Sequence, residues 1–125
     1  MADPENLTLW SFGTWSAEID GTGLVTGKSI KDGSVILLQI EAHPGTGLID
    51  YRIGTSPGAL VPRVFVRVLP GSVLGGVDTA CALTMTALRV EGMDDARWTT
   101  LKATHVFELS LIKAALETGY DHRQS

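Results

Sequence analysis

The sequence is poor in cysteine, in charge and in long apolar runs, and each shortage excludes a class of protein. A single cysteine, Cys81, cannot close a disulfide within the chain, so a disulfide-framework fold is out and a reducing compartment, or one indifferent to redox, is expected. No apolar run approaches the ~20 residues needed to span a bilayer, which excludes a transmembrane helix. Residues 1–6 are acidic and polar where a signal peptide would be basic and then apolar, so an intracellular location is expected. Charged residues make up 19% of the chain and sum to a net charge of −4, which argues against coating nucleic acid by bulk charge and leaves only a local basic face. The three histidines, His43, His105 and His122, are scattered, and none stands at a metal-ligand spacing from Cys81. Neither a metal nor a cofactor is implied.

One near-motif also fails. Gly27-Lys28-Ser29 resembles the end of a phosphate-binding loop, but Gly23 lies one residue too close and Gly21 one too far, and a turn follows where a helix is needed. Cys81 reads as a small apolar packer, or as a residue that could cross-link only to another chain. The Asp94-Asp95 pair reads as a helix start rather than an acid–base dyad.

At 125 residues the chain makes one domain, 1–125, with two regimes. Fourteen glycines, about 11% where about 7% is usual, fall mostly before residue 93 and mark turns between strands. Residues 7–90 read as an antiparallel sheet of five or six strands. A hairpin is expected at 7–12 and 15–19 around Gly13, and a second turn at Lys31-Asp32-Gly33. Ile36, Leu38 and Ile40 share one face of the next strand. Ile49, Tyr51 and Ile53 alternate with Asp50 and Arg52, and Val64, Val66 and Val68 alternate with Arg63, Phe65 and Arg67. Residues 94–118 contain no Gly or Pro, begin with two aspartates and end before Gly119, which predicts a helix. Its apolar residues recur as Trp98, Leu101, His105, Leu109, Ile112 and Leu116, with Val106, Phe107 and Leu111 widening the stripe. Such a helix wants cover on two sides, either from a partner chain or from a curled sheet of its own. The fold class is therefore α+β.

The polar strand face is chemically the most suggestive. Arg52, Arg63 and Arg67 can take phosphate, Phe65 can stack on a base, and Thr84 and Thr86 can bond base edges, a mixture competent for RNA; a solvated face with Glu41 and Asp50 is the plain alternative.

The order of elements resembles the coat proteins of small single-stranded RNA bacteriophages. The closest likenesses are Arg63-Val64-Phe65-Val66-Arg67-Val68-Leu69-Pro70, similar to that family's long strand before a flexible loop, here 71–79, and the last strand at 83–91 running into Asp94-Asp95-Ala96-Arg97. The resemblance implies a structural protein. Its homodimers, joined through Trp98, Leu101, His105, Leu109, Ile112 and Leu116, would build an icosahedral shell around genomic RNA. That RNA would be bound by Arg52, Arg63, Phe65, Arg67, Thr84 and Thr86 in the virion of a bacterial virus, with no enzymatic activity, membrane or small-molecule substrate. A non-viral dimeric interaction module would carry the same helix without nucleic acid. A small enzyme using His105 or Asp50 would be marked by a histidine and a carboxylate converging in a concave, partly dry site.

Overall fold

The structure, a computed structural model, describes residues 1–11, 16–29 and 32–124. Six strands form one antiparallel sheet in simple sequence order: β1 (Ser16–Ile19), β2 (Val25–Lys28), β3 (Val35–His43), β4 (Leu48–Gly54), β5 (Val61–Pro70) and β6 (Cys81–Ala87). Each strand pairs with its neighbour in sequence, because each connection carries its own turn chemistry. Between β1 and β2 the Asp20 carboxylate accepts from the Thr22 and Leu24 amides and from the Thr22 hydroxyl, which also holds its pKa below the usual carboxylate range. Between β3 and β4, Gly47 sits at φ +71, and a Cβ there would overlap the Val68 carbonyl oxygen.

The first element departs from expectation. Leu7–Trp10 is not a strand but a short helical turn, α1, entered from a 3-10 turn at Pro4–Asn6. Asp3 caps that turn by accepting from the Glu5 amide, and Pro4 supplies a ready-made helical φ. Leu7 and Trp10, three residues apart, then fall on one buried face, so helical spacing prevailed over the apparent alternation of Leu7 and Leu9. In place of the expected hairpin, β1 pairs with β2. The strand β2 runs through Gly27 and Lys28, and after it the Gly33 amide donates to the Ser29 carbonyl at 2.9 Å. The expected hinge at Gly13 with Phe12 and Trp15, and Lys31 of the second turn, lie outside the described residues.

The long helix α2 (Asp95–Thr118) matches its sequence signals closely. Asp94 Oδ1 accepts from the Arg97 amide at 2.7 Å, and Gly119 at φ +71 ends the helix with its N–H on the Ala115 carbonyl. The core joins Leu7, Trp10, Val25, Leu38, Ile49, Tyr51, Val66 and Ile112, so α1 and α2 both cover the inner face of their own sheet. The accessible surface, 7697 Å², exceeds the roughly 6,400 Å² that scaling gives for this mass. Part of the excess is a hollow between the sheet and α2.

Candidate functional site

The hollow is a cavity of about 1000 Å³ between the inner sheet face and α2. Its exposed wall is mostly apolar, with Leu38, Ile53, Val64 and Leu101 in the lining, and many polar side chains line it as well, among them Asp32, Arg63, Asp94, Arg97, His105 and Glu108. Helical spacing delivers three of its wall residues: Leu101, His105 and Glu108 stand at steps of four and three, above Ile112, which is buried in the core. Beneath them, Trp10 and Tyr51 meet edge to face with ring centroids 5.6 Å apart. The Tyr51 hydroxyl donates to the Met1 carbonyl at 3.0 Å. Burial makes that phenol harder to ionise, raising its pKa above the ordinary value, and the nearby Glu108 adds to the effect.

Arg63 reaches the cavity through an irregularity in the sheet. Tyr51 opposes Val64 but Arg52 opposes Pro62, so Arg63 is the extra residue of a bulge in β5. Instead of sharing a face with Phe65 and Arg67 it turns inward, lines the cavity and buries its Nε. Burial lowers its affinity for a proton, and Arg97 on the facing helix adds to that. Pro62, which has no N–H to give to the ladder, was the one sequence signal of an irregularity there.

Four buried side-chain nitrogens have no hydrogen-bond partner among the described residues: Trp10 Nε1, Arg63 Nε and both ring nitrogens of His105. All three residues line the cavity. His105 Nδ1 stands 3.4 Å from Glu108 Oε1, close enough for attraction but out of line for a hydrogen bond. Glu108 is only 3% exposed; burial pushes its carboxyl up from its ordinary value, while His105 acts in the opposite direction. Unpaired buried polar groups are rare and costly, so their convergence on one space is informative.

The sequence-predicted residues divide between the two sheet faces. Phe65 and Arg67 stand opposite Thr86 and Thr84 on the outer face, together with Arg52, while Arg63 has left the group. The outer arginines are partly engaged: Arg52 donates to the Leu60 carbonyl at 3.1 Å and stands 3.9 Å from Glu41, and Arg67 donates to the Thr46 carbonyl. Asp50 lies on this face 3.7 Å from His43, away from the cavity. Of the helix residues expected to meet a partner, Leu101 and His105 line the cavity, while Leu109 and Ile112 pack on the chain's own core. Trp98 is half-buried with the Lys102 ammonium 5.8 Å from its ring centroid, and Leu116 is 70% exposed.

Sequence reasoning singled out His105 but passed over Glu108, whose position within an apolar helix stripe was the available signal. Among the described residues no group of three or more His, Cys, Asp or Glu could hold a metal ion, and no helix is long and apolar enough to cross a membrane.

No family model matches the chain, and no curated protein does. Solved structures do. An uncharacterized protein from Bacillus thuringiensis aligns over 88% of this chain and 80% of its own, with a TM-score of 0.59 and 17% identity. The protein XoxI from Bacillus cereus aligns over 91% and 81%, with a TM-score of 0.59 and 18% identity. At such identities the likeness is one of fold.

Proposed function

We propose that this protein binds a small, largely apolar molecule in the cavity between its sheet and α2. The observation that carries the reading is the set of unpartnered nitrogens on Trp10, Arg63 and His105 facing that single apolar-walled space. Its volume lies at the upper end of the roughly 300–1,000 Å³ typical of small-molecule sites, and a few placed polar groups among apolar walls are what such sites use for orientation. A ligand that offers acceptors would satisfy these nitrogens and cover the apolar wall. His105 and Glu108, a histidine and a carboxylate 3.4 Å apart in the lining of the same cavity, are the residue types a pocket enzyme would use.

The shell implied by the coat-protein resemblance leads to a different outcome. That architecture lays the helix across a partner's sheet, whereas here Ile112 lies in the core of its own chain.

Titration with the neutral dye Nile red tests the pocket, with Thr104→Trp filling it from α2. Saturable one-to-one binding that this substitution removes is the expected result. Binding that is absent, or unaffected by the substitution, would overturn the reading. Size-exclusion chromatography of the same preparation separates the alternatives: large uniform particles with nuclease-sensitive ultraviolet absorbance would favour the shell.

A further inference from the structure

Resting on the pocket reading, we infer that its ligand is an amphipathic carboxylate, with its acid group on Arg63 and Arg97 at one end of the cavity and its apolar body extending inward. The first support is the cost of the arrangement. The bulge turns the Arg63 side chain off the wet face of the sheet and into the cavity, where among the described residues its Nε has no hydrogen-bond partner and the side chain has no ion pair. Arg63 is half-buried with its Nε closed off from water, and an anion from outside would give that nitrogen the acceptor it lacks.

The second support is Arg97. It also lines the cavity, has no ion pair among the described residues, and lies close enough to Arg63 for their charges to oppose each other. Two guanidiniums lining one cavity can together receive a planar, two-oxygen acid group, because each offers a fork of parallel donors. Asp94 and Asp32 also line the cavity, and each holds a backbone amide. Asp94 caps its own helix through the Arg97 amide, and Asp32 accepts from the Ser34 amide at 2.9 Å.

The far end excludes the opposite orientation. Glu108, eleven residues along α2 from Arg97 and thus about 16 Å away along the axis, disfavours a second negative charge beside it. The wall between holds Ile53, Val64 and Leu101, which suit a hydrocarbon body, while Trp10 Nε1 and His105 can meet a neutral oxygen at the inner end. Such a ligand has one charge, an apolar middle and room for one uncharged polar group.

Isothermal titration with decanoate and decan-1-ol, which share a chain and differ in the head, tests the assignment, with Nile red as reference for the cavity itself. Decanoate is expected to bind at least about tenfold more tightly than the alcohol, as a desolvated charge-assisted pair would give. Arg63→Gln should erase that preference while Nile red binding persists, Arg97→Gln should reduce it, and Arg63→Lys should keep part of it. Equal binding of acid and alcohol, or a preference untouched in both glutamine variants, would overturn the carboxylate and leave the pocket standing. If none of the three probes binds, the pocket reading itself falls. Because Arg97 is exposed on a helix, its variant remains informative even where Arg63→Gln fails to fold.

Discussion

His105 Nδ1 and Glu108 Oε1 lie 3.4 Å apart on one turn of α2, and both side chains are turned into the cavity wall. Neither is well satisfied: the histidine nitrogens have no hydrogen bond, and the carboxyl is almost wholly removed from water. A fold that only needed a helix on a sheet would be better served by leucine at both positions, because a buried polar pair short of partners costs more than it returns.

The Glu108 carboxyl gives the first prediction. Its proton affinity is raised above the ordinary value of 4.5, so the folded state holds a proton that the unfolded state releases first. Stability contributed by the group is complete below that value and is lost as pH rises from there through the folded-state value. Glu108→Gln should therefore be more stable than the parent near neutral pH and should flatten the decline. Urea midpoints measured from about pH 4 to 8 check this, and an unchanged slope would count against a buried acid.

Tyr51 gives the second. The buried hydroxyl ties the sheet to the Met1 carbonyl, and Tyr51→Phe removes that one bond while keeping the ring against Trp10. A loss of about 0.5–1.5 kcal/mol is expected. Burial also keeps the phenol protonated in the fold, so the unfolded chain ionises first above about pH 10 and stability falls there as pH rises. The phenylalanine variant should lose that alkaline limb, which denaturant melts on either side of pH 10 would reveal.

Much of the framework was legible because local chemistry and global fold agree. Asp94 and Gly119 bracket α2, the valines of β5 alternate, and β4 runs from Leu48 to Gly54 as expected. The failures share one cause: a non-local preference overrode a two-residue period. Leu7 and Leu9 alternate as in a strand, yet burial of Leu7 with Trp10 against α2 selects a helical turn. Arg63 alternates as an outward residue, yet the bulge beside Pro62 turns it inward. The cavity was illegible for the same reason. Its walls come from α1, β3, β4, β5, β6 and α2, and only their assembly places Trp10, Arg63, His105 and Glu108 around one space.

The turn into β4 supplies a third prediction. Gly47 combines a left-handed backbone with close approach to Val68, whose N–H donates to the Gly47 carbonyl at 2.8 Å. Alanine meets both obstacles, the positive φ and the Val68 carbonyl oxygen. Gly47→Ala should cost about 1–3 kcal/mol, read as a lowered melting temperature. Gly45→Ala in the same turn meets neither obstacle and serves as the control, because its φ is ordinary and its Cβ would point into open space.

The last prediction separates the two uses that α2 could have. If the helix serves its own sheet, its contribution lies at Ile112, 5% exposed in the core, and Ile112→Ala should cost about 2–5 kcal/mol at any protein concentration. Leu116→Ala, at a side chain 70% exposed, should then change stability by less than about 0.5 kcal/mol. If the helix instead meets a partner through this stripe, unfolding midpoints must rise with protein concentration, and Leu116→Ala must weaken that dependence. Chemical melts of the parent and both variants over a hundredfold range of concentration decide between them. A concentration-independent parent with a large effect at Ile112 alone assigns the helix to its own cavity. A concentration-dependent parent sensitive to Leu116 would restore the dimer expected from the sequence.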